Sequence, residues 1–94
     1  MTHKLKILPK YCDELMTGGK NFELRKDDRG FRVGDDLEMW EFDPTVERPY
    51  TGRLIIAKIA YILRDCPQYG LQDGYAILAL ERIRAEWWAP ICSS

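Results

Sequence analysis

The sequence predicts a single α+β domain in which a curved or closed antiparallel sheet of four or five strands is plugged or capped by one early helix. Three observations carry that expectation. Stretches with a two-residue hydrophobic period dominate the chain after residue 20, the clearest helical spacing falls between residues 8 and 16, and 94 residues suit one core rather than two.

Residues 3–8 (HKLKIL) alternate, placing His3, Leu5 and Ile7 on one face of a strand and Lys4, Lys6 and Leu8 on the other. Pro9 suits the first turn of a helix, where its missing N–H costs nothing, and Leu8, Tyr11, Cys12, Leu15 and Met16 recur at helical spacing. Gly18-Gly19 ends that helix, because glycine readily takes the left-handed terminating conformation. Residues 21–26 alternate again, with Phe22 and Leu24 to one side and Asn21, Glu23 and Arg25 to the other. A charged stretch and the turn Val33-Gly34-Asp35-Asp36 lead into a strand over 37–42, and Pro44 and Pro49 make 43–50 a loop. The Ile-rich run 51–63 reads as a long strand, bent at a bulge or shared between pairings, because β-branched residues favour it over a helix. Residues 64–74 form a loop, 75–83 the last strand, and 84–94, with Trp87-Trp88 and Pro90, a tail; the domain is drawn at 1–86 and the tail at 87–94.

With 46% apolar residues against 31% charged, the chain can bury a core without staples. Cys12, Cys66 and Cys92 are odd in number and widely spaced, so they read as reduced thiols rather than a disulfide framework or a metal knuckle. His3 is the sole histidine, which argues against a histidine-based metal site or a Ser-His-Asp triad; no metal or cofactor is expected. The first residues lack the apolar segment of a signal peptide, and no apolar run approaches the roughly 20 residues that span a bilayer, so a cytoplasmic location away from membranes is expected. The net charge of −1 argues against a broad basic field. Its distribution is uneven, however: residues 1–34 hold eight Lys or Arg and five Asp or Glu, while 35–94 hold six and ten, so an anionic ligand is favoured toward the N-terminal third.

The candidate site centres on Lys20, Asn21, Glu23 and Arg25. A lysine beside two glycines can approach a ligand closely, as a phosphate partner or, if desolvated, as a base. Glu23 and Arg25, on one strand face, can meet a base edge and a phosphate; the alternative is a solvated Lys20 and cross-strand ion pairs. His3 either lines the same cleft or lies exposed, and Trp40 and Tyr61 either stack on a base or pack in the core. Adjacent Trp87 and Trp88 cannot both cover one sheet face, which leaves one of them for a protein contact.

Gly18-Gly19-Lys20-Asn21-Phe22-Glu23-Leu24-Arg25 matches the G-x-K-x-x-E-x-R signature of the ASCH domains, a branch of the PUA-like β-barrels, at all four fixed positions. The chain resembles short bacterial and phage ASCH-like proteins, whose pattern is echoed by His3-Lys4-Leu5-Lys6-Ile7, Phe22 to Arg29, Tyr50-Thr51-Gly52-Arg53 and Gly70 to Tyr75. The resemblance implies a small PUA-like barrel of about five to six strands with one early helix, and a motif-lined cleft for RNA, a nucleotide or a nucleoside. One branch of similar proteins acts as amidohydrolases on N4-acetylcytidine through a Lys, a Thr and a Glu. Lys20 matches that lysine, while the threonine position carries Glu23, so a catalytic role would fall to Lys20 and Glu23. A third expectation is a protein-interaction or phage-encoded inhibitor domain that recruits its partner through Trp87 and Trp88.

Overall fold

A computed structural model describes residues 1–88. One helix and five strands form an α+β unit, a curled half-barrel sheet in the order β1-β3-β4-β5-β2. The strands are β1 (Thr2–Ile7), β2 (Phe22–Lys26), β3 (Asp36–Phe42), β4 (Tyr50–Leu63) and β5 (Tyr75–Trp87). Helix α1 (Pro9–Thr17) lies between β1 and β2 in sequence and carries the chain from one edge of the sheet to the other.

The alternation of β1 holds: Leu5 and Ile7 are buried and Lys4 and Lys6 exposed. Pro9 occupies the first turn of α1, Cys12 and Leu15 face the sheet, and Gly18 terminates the helix at φ 83°, a left-handed conformation that glycine adopts without strain. Cys12 and Leu15 of α1 join Leu37 and Met39 of β3, Ile55 and Ile59 of β4, and Leu78 of β5 in one buried cluster, all almost wholly out of solvent. The charged stretch before β3 also contributes to this core, through Phe31.

Three features sharpen or correct the sequence reading. First, the sheet is mixed, because β1 runs parallel to β3, in register from Thr2↔Asp36 to Ile7↔Glu41. The intervening helix and β2 supply the long crossover that a parallel pair requires. Second, of the curved and closed sheets expected, the curved one forms: the sheet curls into a half-barrel, and the described backbone pairings of β1 and β2 are with β3 and β5. Third, β5 extends to Trp87, so residues 84–87 belong to the sheet rather than to a tail. A bulge on β5, where Arg82 takes φ 55°, shifts the phase of the strand, and a second register shift lies opposite between Ile59 and Tyr61 of β4. The expected bend of the long strand therefore comes from bulges that let the sheet coil. Pro90, Cys92 and the rest of the tail from residue 89 lie outside the described residues.

Candidate functional site

The polar face of β2 turns inward. Phe22 and Leu24 are exposed, whereas Glu23 is 5% exposed although it is charged. A carboxylate removed from water needs compensation, and two cations provide it. Lys20 donates to Glu23 and to the carbonyl of Phe22, with its ammonium 5.5 Å from the ring centre of Tyr11 and 5.2 Å from that of Phe22. Arg25 donates from Nε to Glu23 Oε2 at 3.0 Å. The structure therefore brings Lys20, Glu23 and Arg25 together as one linked ion-pair chain. Lys20 and Glu23 line a cavity of about 420 Å³ walled by Tyr11, Phe22 and Leu24.

Arg25 also belongs to a larger groove. Its Nη2 donates to the carbonyl of Lys6 on β1, across the gap between the two sheet edges, and Arg29 Nη1 donates to the carbonyl of Lys4 at 2.9 Å. At this seam opens a groove of about 1010 Å³, lined by five cations, Lys4, Lys6, Arg25, Arg29 and Arg48. No Asp or Glu is among its described lining residues. Its aromatic surface comes from Trp40, Tyr50 and Trp88. Trp40 points away from the core, as the alternation of β3 requires, and Trp88 meets it edge to face with ring centres 5.9 Å apart. The Trp88 amide donates to the carbonyl of Gly52 at 2.6 Å, which pins the end of β5 beside the groove.

The other sequence-chosen residues fall elsewhere. His3 is buried beneath Phe31, ring centres 4.7 Å apart, and donates from Nε2 to Asp35 at 2.8 Å. It lies outside both cavities. Tyr61 is 61% exposed, on the outer face of β4 beside Ala79, and lines neither cavity. The Asn21 carbonyl accepts from the Leu80 amide at 2.9 Å, continuing the β2–β5 ladder. Trp87 is 68% exposed at the end of β5, with the Arg53 guanidinium 5.9 Å from its ring centre.

A second buried charge cluster escaped the sequence reading. Glu41 accepts two bonds from Arg53, at 3.2 and 2.7 Å, and one from the Thr51 hydroxyl at 2.6 Å. Arg53 also donates to Asp13 of α1 at 2.6 Å, tying the helix to the sheet. Burial pushes the Glu41 carboxyl up, but the bonds from Arg53 and Thr51 outweigh it and leave the group below the ordinary carboxylate range. The signal was present in the sequence: the inward positions of β3 are Leu37, Met39 and then Glu41. Among the described residues no group of His, Cys, Asp and Glu is arranged to hold a metal, and no helix is long and apolar enough to cross a membrane.

Comparison with known proteins places the chain in a family. The chain is 39% identical over 57 residues to the "Uncharacterized 12.9 kDa protein in GpA 3'region" of Escherichia phage P2. That match takes in 61% of this chain and 50% of the relative, so it spans half the relative's length. A family model matches residues 2–80, which include β1 to β4, most of the core and the Lys20-Glu23-Arg25 chain. The protein therefore belongs to the family described as Domain of unknown function (DUF3850).

Proposed function

We propose that the protein binds a nucleotide or a short single-stranded RNA in the groove at the β1–β2 seam, in keeping with an ASCH-type, PUA-like barrel that acts in the cytoplasm. The observation that carries this reading is the groove itself: five cations, no lining carboxylate among the described residues, and an aromatic surface in one cavity of about 1010 Å³. Cations spread along a groove neutralise a phosphate backbone, and aromatic faces stack on bases of any identity. The volume is at the upper end of small-ligand sites, roughly 300–1,000 Å³, and so suits more than a single base.

The motif contributes through Arg25, which reaches the groove, while Lys20 and Glu23 act behind it by holding Arg25 in place. Both groups are engaged with each other, so the amidohydrolase reading takes second place. The interaction-domain reading rests on exposed Trp87, which projects beside Arg53 rather than into the groove.

Tryptophan fluorescence during titration with oligouridine tests the proposal, because Trp40 and Trp88 line the groove. Binding is expected to quench their emission and to weaken with salt, with a log–log slope of about −2 to −3.5 for three to five neutralised phosphates. Charge reversal by Lys6→Glu with Arg48→Glu should weaken binding by about tenfold or more. Quenching that ignores both salt and charge reversal would overturn it.

A further inference from the structure

The seam differs from every other junction between neighbouring strands of this sheet. Elsewhere adjoining strands share backbone ladders; between the β1 and β2 edges the described bridges are two guanidinium–carbonyl bonds, Arg25 to Lys6 and Arg29 to Lys4. Those carbonyls belong to alternate residues of one strand, so they point the same way and repeat at about 6.6–6.8 Å. The side chains of Lys4 and Lys6 face the groove with the same repeat. Two like stations result, Lys6 with Arg25 and Lys4 with Arg29, each combining a cation from either side of the gap.

Among the described residues neither guanidinium is saturated. Of the five N–H donors on an arginine, Arg25 commits one to Glu23 and one to Lys6, and Arg29 commits one to Lys4. The remaining donors are available to an anion without loss of the carbonyl bonds. The five cations also repel one another across the groove, an effect that Glu23 beside Arg25 and Asp28, 4.0 Å from Arg29 Nε, offset in part and that a bound anion would offset further.

We infer that the seam is a track for two successive phosphates of a single strand, one at each station, and that the bound strand ties β1 to β2 where the sheet lacks a ladder. The repeat of the stations matches the interval between phosphates separated by one nucleoside. It does not match the shorter interval within a diphosphate, whose phosphorus atoms share a bridging oxygen. The inference rests on the nucleic-acid reading of the groove and adds to it the minimal ligand, a dinucleotide carrying two phosphates.

Titration calorimetry with uridine monophosphate, uridine diphosphate and 5′-phosphorylated diuridine, followed by hydrogen exchange on each complex, tests it. The phosphorylated dinucleotide is expected to bind about tenfold or more tighter than either mononucleotide, since its second phosphate engages intramolecularly. Its complex should show slowed exchange in β1 and in residues 22–29. Arg29 has an exposed side chain, so Arg29→Gln should fold normally; it should weaken the dinucleotide by about tenfold or more, and the monophosphate by less, because the Lys6–Arg25 station remains to it. Lys4→Ala should do the same. Equal affinity for all three probes, or a uniform loss in both variants, would overturn the track while leaving an anion groove intact. Absence of binding by all three would overturn the nucleic-acid reading and the track together.

Discussion

Arg53 and Glu41 face each other from β4 and β3 through two hydrogen bonds, Nε to Oε1 at 3.2 Å and Nη2 to Oε2 at 2.7 Å, with Glu41 5% exposed. The pair sits where α1 meets the sheet, because Arg53 also holds Asp13. Removing one partner of such a pair leaves a buried charge without compensation, which costs about 3–5 kcal/mol. Arg53→Ala should lose that amount in chemical denaturation and lower Tm by more than about 10 °C. Asp13, 66% exposed at its side chain, should cost under about 1 kcal/mol when changed to Ala. A loss below about 1 kcal/mol for Arg53→Ala would show that Glu41 is not held as described.

Acid should destabilise the fold through two carboxylates. Burial raises the Glu41 pKa, but the hydrogen bonds from Arg53 and Thr51 prevail, and the hydrogen bond from His3, with others from the Arg32 amide and the N-terminal amine, lowers that of Asp35. A pKa depressed on folding means that the fold favours the ionised form. The stabilisation is therefore complete above the unfolded values, about 4.3 for Glu and 3.9 for Asp, and is lost as pH falls through the folded values. Denaturation midpoints should be level from neutrality to about pH 5 and fall below it, with a smaller fall in Glu41→Gln. A Glu41→Gln profile parallel to the parent's would rule out Glu41 as a contributor.

Gly52 should tolerate no side chain. Its φ is 94°, and a Cβ there would meet the Trp88 carbonyl oxygen at 3.0 Å. Gly52→Ala therefore combines a left-handed penalty of about 1–2 kcal/mol with displacement of Trp88 from Trp40, visible as a loss of near-ultraviolet circular dichroism. Gly18→Ala, at φ 83° with nothing within 4 Å, should show the conformational cost while retaining that signal. Equal spectra for the two variants would disprove the Gly52–Trp88 contact.

The cysteines should differ in reactivity. Cys12 has no exposed surface, and burial pushes its thiol up to about 11, whereas Cys66 is partly exposed. Iodoacetamide at pH 8, read by peptide mapping, should label Cys66 in the native protein and Cys12 only as fast as the fold opens. Labelling of Cys12 at the rate of Cys66 would mean that α1 does not pack as described.

Local patterns made several elements legible. The alternation of Leu5 and Ile7 marked β1, Pro9 and Gly18 bracketed α1, and the β-branched content of 51–63 identified β4 as a strand. The alternation of β2 separated Glu23 and Arg25 from Phe22 and Leu24, but which of the two faces turns inward was not legible, since the apolar pair is the exposed one. Long-range relations were not legible. Nothing local says that β1 runs parallel to β3, or that Arg25 crosses the seam to a carbonyl 19 positions earlier. The end of β5 was hidden for a specific reason: Ile83, Ala85 and Trp87 continue an alternation, but the bulge at Arg82 shifts its phase, so a two-residue period read from Tyr75 breaks there. His3 shares the buried face of Leu5 and Ile7, but what covers it was not legible, because its partners, Phe31 and Asp35, lie in a stretch that reads as charged loop.

The placement of β1 and β2, neighbours in the chain but opposite edges of the sheet, separates contacts that can form locally from those that must wait for the whole chain. The meander β3–β4–β5 joins strands that follow one another and can form from local encounters, whereas β2 must find β5 through pairs as distant as Phe22 and Ala79. During synthesis the N-terminal segment emerges first and waits for a template that is completed last. The motif-bearing strand therefore cannot pair until β5 has been made, and a nascent chain interrupted before β5 carries the motif without its pairing partner.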